Sequence, residues 1–272
     1  MVSNTLMKSK GLSLVILNTI TLVVMLFANF ASNSGMFSSN TVADVSHKYD
    51  TLFAPAGYAF TIWGIIFLLA LGFVFYQWFL LKTHDSQQYI RRTGIWFSVG
   101  NLANAAWLYC WLNEQLGLSV ICIFVLLFSL IILTIHLRLE LDDVSVRNIF
   151  FVWWPITFYL GWIMVATIAC IAAWLTSTGW SGFGLSQSTW TIILIAIACL
   201  FYLSIIVRRN MREAAAVGIW AFIAIAVRQW NDHNGIVSTA LISSSILAIG
   251  IIVHFYKNRK YNIWSKLKRG EW

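Results

Sequence analysis

Long apolar runs separated by short polar stretches set the rhythm of this chain. Eight of the runs approach the roughly twenty residues a helix needs to cross a bilayer. They cover 11–30, 58–81, 95–112, 118–137, 149–175, 190–207, 214–230 and 236–256. The stretch from Ile121 to Ile135 is interrupted only by Ser129 and Thr134. Strands of a membrane barrel would instead alternate apolar and polar over about ten residues. A segment in lipid must satisfy its own backbone N–H and C=O groups, so the pattern predicts helices. The expected fold is an all-α integral membrane protein, an eight-helix transmembrane bundle.

Composition agrees. Hydrophobic residues make up 60% of the chain and charged residues 10%, where a soluble domain has about 25% charged. The net charge of +8 would suit nucleic acid if its sources were clustered on a polar domain. They are not. If the N-terminus is cytoplasmic, 16 of the 18 Lys and Arg residues fall in segments facing the cytoplasm, from Lys8 and Lys10 to the tail carrying Lys257 to Arg269. Basic residues are retained on that side of a membrane. Lys48 and Arg228 are the two exceptions. The bias predicts both termini on the cytoplasmic side of the inner membrane, lipids as partners and no nucleic acid. The tail from Lys257 to Trp272 interleaves basic residues with Tyr261, Ile263 and Trp264, as a segment lying on anionic headgroups does.

The first run follows Lys8 and Lys10 like a secretory signal, but about twenty apolar residues exceed a signal core of about 7–15. It is expected to be an uncleaved anchor. The longest connection, 31–57, is rich in Ser and Asn and ends in Phe53-Ala54-Pro55-Ala56-Gly57. It is either a lid or binding loop or a polar connector.

Order along successive runs then carries a resemblance. Pro55 precedes the second run, in which Trp63 and Phe67 stand four apart. The third holds Asn104-Ala105-Ala106-Trp107; in the fifth, Pro155 precedes Trp162 and Ala166-Thr167. Over residues 1–175 the chain resembles the TspO/MBR family of tryptophan-rich sensory or translocator proteins. It departs from that family at Leu108-Tyr109, where a Ser-Pro is expected, and at Cys170, where an Asn is expected. The resemblance implies a five-helix module over 1–175, followed by a three-helix extension over 176–272 that packs on it or forms a homodimer surface. It also implies a pocket for a planar hydrophobic molecule, such as a porphyrin (haem included) or a sterol-like lipid. That pocket would be formed by Pro55, Trp63, Phe67, Asn104, Trp107, Trp162 and Ala166, and would serve binding or sensing with no cofactor required.

Each residue also has a plainer reading. Trp78, Trp174, Trp180, Trp190 and Trp230 lie near run ends, where tryptophans form an interfacial belt. Asn101 and Asn104 share one helical face and should face other helices, to bond them or to meet a ligand. Asn18 and Gln77 pose the same choice. Arg228 either snorkels and pairs with Asp232 four residues on or anchors an anionic ligand, which makes a small-molecule transporter with a polar path near Arg228 the alternative function. The small residues Ala166, Ala169 and Ala173, and Ala214 to Ala216 with Gly218, suit close helix packing. His136 and His254 could ligate a haem iron only if they face one another. Cys110, Cys122, Cys170 and Cys199 all sit in apolar runs and lack C-x-x-C spacing, so neither a disulfide framework nor a metal site is indicated. No hydrolase, zinc-protease or nucleotide-binding signature is present, and no catalytic residue is assigned.

Overall fold

A computed structural model describes residues 2–82 and 87–272. The long helices are α1 (Val2–Asn33), α3 (Ile62–Leu80), α5 (Trp96–Leu112), α6 (Leu116–His136), α8 (Trp154–Ser177), α9 (Gln187–Arg209), α10 (Arg212–Arg228) and α11 (Asn234–Lys257). Short helices α2 (Val42–Lys48), α4 (Gln87–Thr93), α7 (Val146–Asn148) and α12 (Ile263–Lys268) fall in the connections. Six of the long helices, α1, α3, α6, α8, α9 and α11, are long and apolar enough to cross a membrane. The other two of the eight predicted runs coincide with α5 and α10. At 17 residues each, these reach about 25 Å, the short limit of a span. Large apolar side chains point outward, with Leu68 70% and Phe75 75% exposed. Such a surface suits hydrocarbon. The chain is an all-helical integral membrane protein.

Pro155 explains how α8 begins. Proline offers no N–H and its ring collides with the carbonyl four residues back. The preceding turn, Ile149–Trp153, widens into a π-helix, and Pro155 sits in the first turn of α8. At the far end of α9, Asn210 takes the left-handed conformation (φ 57°) and closes the helix, a position where Asn is among the tolerated residues.

In the first five long helices, α5 packs on α1 and α6, α6 on α8, and α3 on α1 and α8. The last three join them chiefly through α10 on α8, with α11 lying against both α9 and α10. Two glycines and a tyrosine make that seam close. A Cβ on Gly161 would meet the Ala214 carbonyl at 2.8 Å, and one on Gly218 would meet the Tyr202 ring at 2.6 Å. The Tyr202 hydroxyl donates to the Gly161 carbonyl at 2.6 Å. Ala214, Ala215 and Gly218 are buried here as packing requires, while Ala216 is exposed. One apolar core runs through both groups of helices, across the expected boundary at 175.

The buried amides bond between helices. Asn18 donates to Gln77 at 2.9 Å and accepts from Ser98 at 2.7 Å. Asn101 donates to Thr21 at 3.4 Å, and Asn104 accepts from Asn29 at 2.9 Å. All four cysteines are free thiols, with no disulfide among them.

Candidate functional site

The long first loop is ordered as a lid. Thr41 and Asp44 form a reciprocal cap that starts α2. A capping box of this kind satisfies two orphan donors of a helix N-terminus. Two sets of contacts then hold the loop down. Toward the α5–α6 connection, Lys48 pairs with Glu114 at 2.6 Å, the Tyr49 hydroxyl donates to Glu114 at 2.7 Å, and the Trp111 indole donates to the Val42 carbonyl at 3.2 Å. Glu114 itself takes a left-handed φ of 58°, unusual for a residue with a side chain.

Toward α10 the contacts come from the opposite end of the sequence. Arg228 pairs with Asp50, Gln229 donates to the Leu52 carbonyl at 3.1 Å, and the Ala56 N–H donates to the Ala224 carbonyl at 3.0 Å. The Trp220 indole donates to the Ala59 carbonyl at 3.1 Å. The expected pairing of Arg228 with Asp232 is therefore corrected. The carboxylate of the lid takes the guanidinium instead, because Asp50 is brought to the end of α10 by the fold.

Beneath the lid lies an enclosed cavity of about 50 Å³. Of the eight residues singled out for ligand binding, Arg228 among them, five line it: Pro55, Trp63, Trp107, Trp162 and Ala166. The other three do not. Phe67 stands behind the wall, stacked on Trp63 with centroids 5.4 Å apart. Asn104 bonds Asn29 of α1, and Arg228 serves the lid. Ala169 and Ala173, expected to serve packing alone, also line the cavity, one side of which α8 forms with small residues.

The walls are aromatic and interlocked. Trp63 meets Trp162 edge-on at 6.4 Å and Tyr159 at 5.7 Å, while Trp107 stacks on Trp111 at 5.9 Å. Such pairs are worth about 0.5–1.5 kcal/mol beyond their burial. The indole N–H of Trp162 is buried and has no acceptor, and that of Trp107 has only the weakly accepting Cys170 sulfur beside it. A buried donor left unpaired costs about 1–3 kcal/mol. Trp111 and Phe60 also line the cavity without having been singled out. Trp111 could have been found, since it follows Trp107 by four residues on the same helical face.

The cavity is small. About 50 Å³ admits one or two waters at about 30 Å³ each, well short of the roughly 300–1,000 Å³ of a small-molecule site. A second pocket of about 510 Å³ lies between α8 and α9 at the same end of the molecule. Thr51 lines both cavities, and its neighbours Leu52 and Phe53 face the larger one. Trp180 and Trp190, expected in the interfacial belt, also wall the larger pocket. The Trp190 indole donates to the Gly182 carbonyl at 2.8 Å, which turns the ring inward. Trp230, 58% exposed, keeps the disposition of a belt residue.

A family model described as TSPO-like protein matches residues 15–253, a stretch that continues past residue 175 into α11. No curated protein and no solved structure matches the chain.

Proposed function

We propose that this chain, which belongs to the TSPO-like protein family, is a membrane-embedded binding or sensory protein for a hydrophobic planar ligand that bears an acceptor group. The observation that carries this reading is the pair of buried indole N–H groups in an aromatic cavity, that of Trp162 unpartnered and that of Trp107 met only by the Cys170 sulfur. An acceptor oxygen of a ligand would satisfy both donors, and the rings would stack on its flat face. Porphyrins and sterol-like lipids carry such groups on large apolar frames. The closed cavity is too small for either, so binding requires the lid to lift. Shifting the segment from Thr51 to Phe53 would join it to the outer pocket of about 510 Å³.

Eight crossings with both termini in the cytoplasm fit the placement of the basic residues. Under that reading the lid faces away from the cytoplasm and α5 and α10 complete the bundle. The transporter alternative loses its principal support, because Arg228 is engaged by Asp50.

The test is a protoporphyrin titration of the protein in nanodiscs, followed by tryptophan quenching and corrected for empty discs. Saturation near one ligand per chain is expected, weakened about tenfold or more in Trp107→Leu and Trp162→Leu but unchanged in Trp230→Leu. Quenching that rises linearly, or equally in all three variants, would reduce the interaction to partitioning and remove the pocket from consideration.

A further inference from the structure

At the other end of the molecule the last helices and the α6–α7 connection enclose a site of opposite character. Glu140, in that connection, and Glu213, in the first turn of α10, line a single cavity of about 260 Å³ with Trp153, Phe255 and Trp264. A second cavity of about 400 Å³ shares Glu140 and Trp153 as its wall.

The other acids nearby are already neutralised. Asp142 pairs with Arg138 at 2.9 Å and with Arg92 at 3.8 Å, Asp143 pairs with Lys266, and Glu271 pairs with Arg269 and Lys266. Glu140 and Glu213 are not. Glu140 accepts from Asn210 at 3.5 Å, the outer limit of a hydrogen bond, and the buried Glu213 carboxyl, whose Oε2 makes no full hydrogen bond, has only the Trp154 indole and its own backbone N–H beside it. Arg212 also lines the cavity, but its guanidinium lies over the Phe255 ring at 5.5 Å. It makes no ion pair among the described residues, and its Nε is unpartnered. Two carboxyl groups share one guanidinium in a partly enclosed space, and a carboxylate held away from water without a full partner is costly, so it takes up a proton unless a cation is there to hold it ionised. Burial and the neighbouring Glu213 carboxylate push the Glu140 carboxyl well above the usual carboxylate range, which registers the same imbalance.

The structure assigns this cavity to a primary ammonium group, held by Glu140 and Glu213 against the Trp153 and Phe255 rings. Three features select that chemistry. The missing charge is a single positive one. The unsatisfied Oε2 calls for an N–H donor, which a quaternary ammonium lacks. Aromatic walls favour organic cations, and among the described residues no group of three His, Cys, Asp or Glu side chains is placed to hold a metal ion. The buried indole N–H of Trp153 also lacks an acceptor, so an oxygen close to the ammonium, as in an amino alcohol, would satisfy it. That arrangement belongs equally to a soluble amino alcohol and to the ethanolamine headgroup of a phospholipid, and the exposed Trp264 at the rim leaves the cavity open to either.

Calorimetric titration of ethanolamine into the protein in phosphatidylcholine nanodiscs, repeated with phosphatidylethanolamine added to the discs, tests the assignment. Saturable binding near one per chain is expected, at least about tenfold tighter than tetramethylammonium, and weakened about tenfold in Glu213→Gln and in Glu140→Gln. Binding that persists undiminished beside phosphatidylethanolamine identifies a soluble amine as the occupant, and binding suppressed by that lipid identifies the headgroup. No saturable heat in the phosphatidylcholine discs, or equal affinity for tetramethylammonium, would overturn the assignment. The comparison of the two cations uses the unmodified protein, so a variant that fails to fold does not blunt the test.

Discussion

The two ends of the helix bundle solve the problem of an unfilled space in opposite ways. The cavity under the lid is apolar, enclosed and about 50 Å³. Its charges have been moved outside, to Lys48–Glu114 and Arg228–Asp50, where they strap the cover down. The opposite cavity, about 260 Å³ and rimmed by an exposed Trp264, keeps its charges inside. Unmet hydrogen-bonding capacity is therefore of different kinds. Beneath the lid the Trp162 indole waits for an acceptor, which costs about 1–3 kcal/mol, and the Trp107 indole has only the weak Cys170 sulfur. At the other end a carboxylate oxygen waits for a donor, and an unpaired charge costs more. The first deficit is tolerable in a closed resting state that opens for ligand. The second presses for a standing occupant.

α8 lines the space under the lid and α10 lines the opposite one, so the largest effect on both should come from the seam between these two helices. Gly161→Ala drives a Cβ into the backbone of Ala214, and Gly218→Ala drives one into the buried Tyr202 ring. Neither obstacle is the end of a flexible side chain. Each change should destabilise the folded protein by about 1–3 kcal/mol, the usual cost of overpacking a tight core, and weaken both porphyrin and ethanolamine binding. Thermal unfolding in detergent with the two titrations measures this. If one site is lost while the other is untouched, the two ends do not share a frame. The next largest effect is local: Trp162→Leu should cost about tenfold in porphyrin affinity and leave ethanolamine binding unchanged, with Glu213→Gln giving the reverse.

The helices were legible because hydrophobic runs of bilayer length leave the backbone little choice. Five lining residues were legible as well, because Pro55, Trp63, Trp107, Trp162 and Ala166 stand at the positions that carry the family resemblance, in the same order along the loop and successive helices. What stayed hidden depends on contacts distant in sequence. Asp50 and Arg228 are 178 residues apart, and nothing local favours that pairing over Asp232, which sits at the right helical interval. Trp180 and Trp190 look like belt residues until the turn at Gly182 draws the second indole inward. Cavity volume was equally unreadable, since it is what remains after side chains and lid have packed. Glu140 and Glu213 match no motif and lie at the edges of apolar runs, where an acid draws no notice; their meeting requires α10 to start beside the α6–α7 connection.

Cutting the strap at α10 should have a smaller effect. Asp50→Asn and Arg228→Gln each remove a partly exposed ion pair, worth about 0–1 kcal/mol, while Gln229 keeps its bond to the Leu52 carbonyl and the Ala56 N–H keeps its bond to the Ala224 carbonyl of α10. Global stability should barely change. Porphyrin association should quicken several-fold, because the lid opens more often, and stopped-flow quenching reads this directly. An unchanged association rate would mean that the ion pair does not gate entry, and the lid pocket and the open cavity would then differ in shape alone.

The mildest effect is that of acid on the other strap. Hydrogen bonds from Lys48 and Tyr49 hold the Glu114 carboxyl below its ordinary value of 4.5. A group with a depressed pKa contributes its stability fully above that ordinary value and loses it as pH falls through the lower folded value. The strap should therefore be intact at neutral pH and slacken only below about 4.5. Asp44, which caps α2 and is likewise held below its ordinary range by Thr41, also loses its charge in acid, so acid alone does not separate the two. Glu114→Gln does, because it removes the Lys48 pair at every pH and leaves the α2 cap in place. With 5-fluorotryptophan incorporated, the ¹⁹F signal of Trp111, whose indole holds the Val42 carbonyl, reports the lid. It should move on acidification in the native chain and stand already displaced at pH 7 in Glu114→Gln. A signal that moves identically with pH in both chains would place the acid response at the α2 cap, and the lid would be closed by its apolar contacts and its bonds to α10 without help from Lys48 and Glu114.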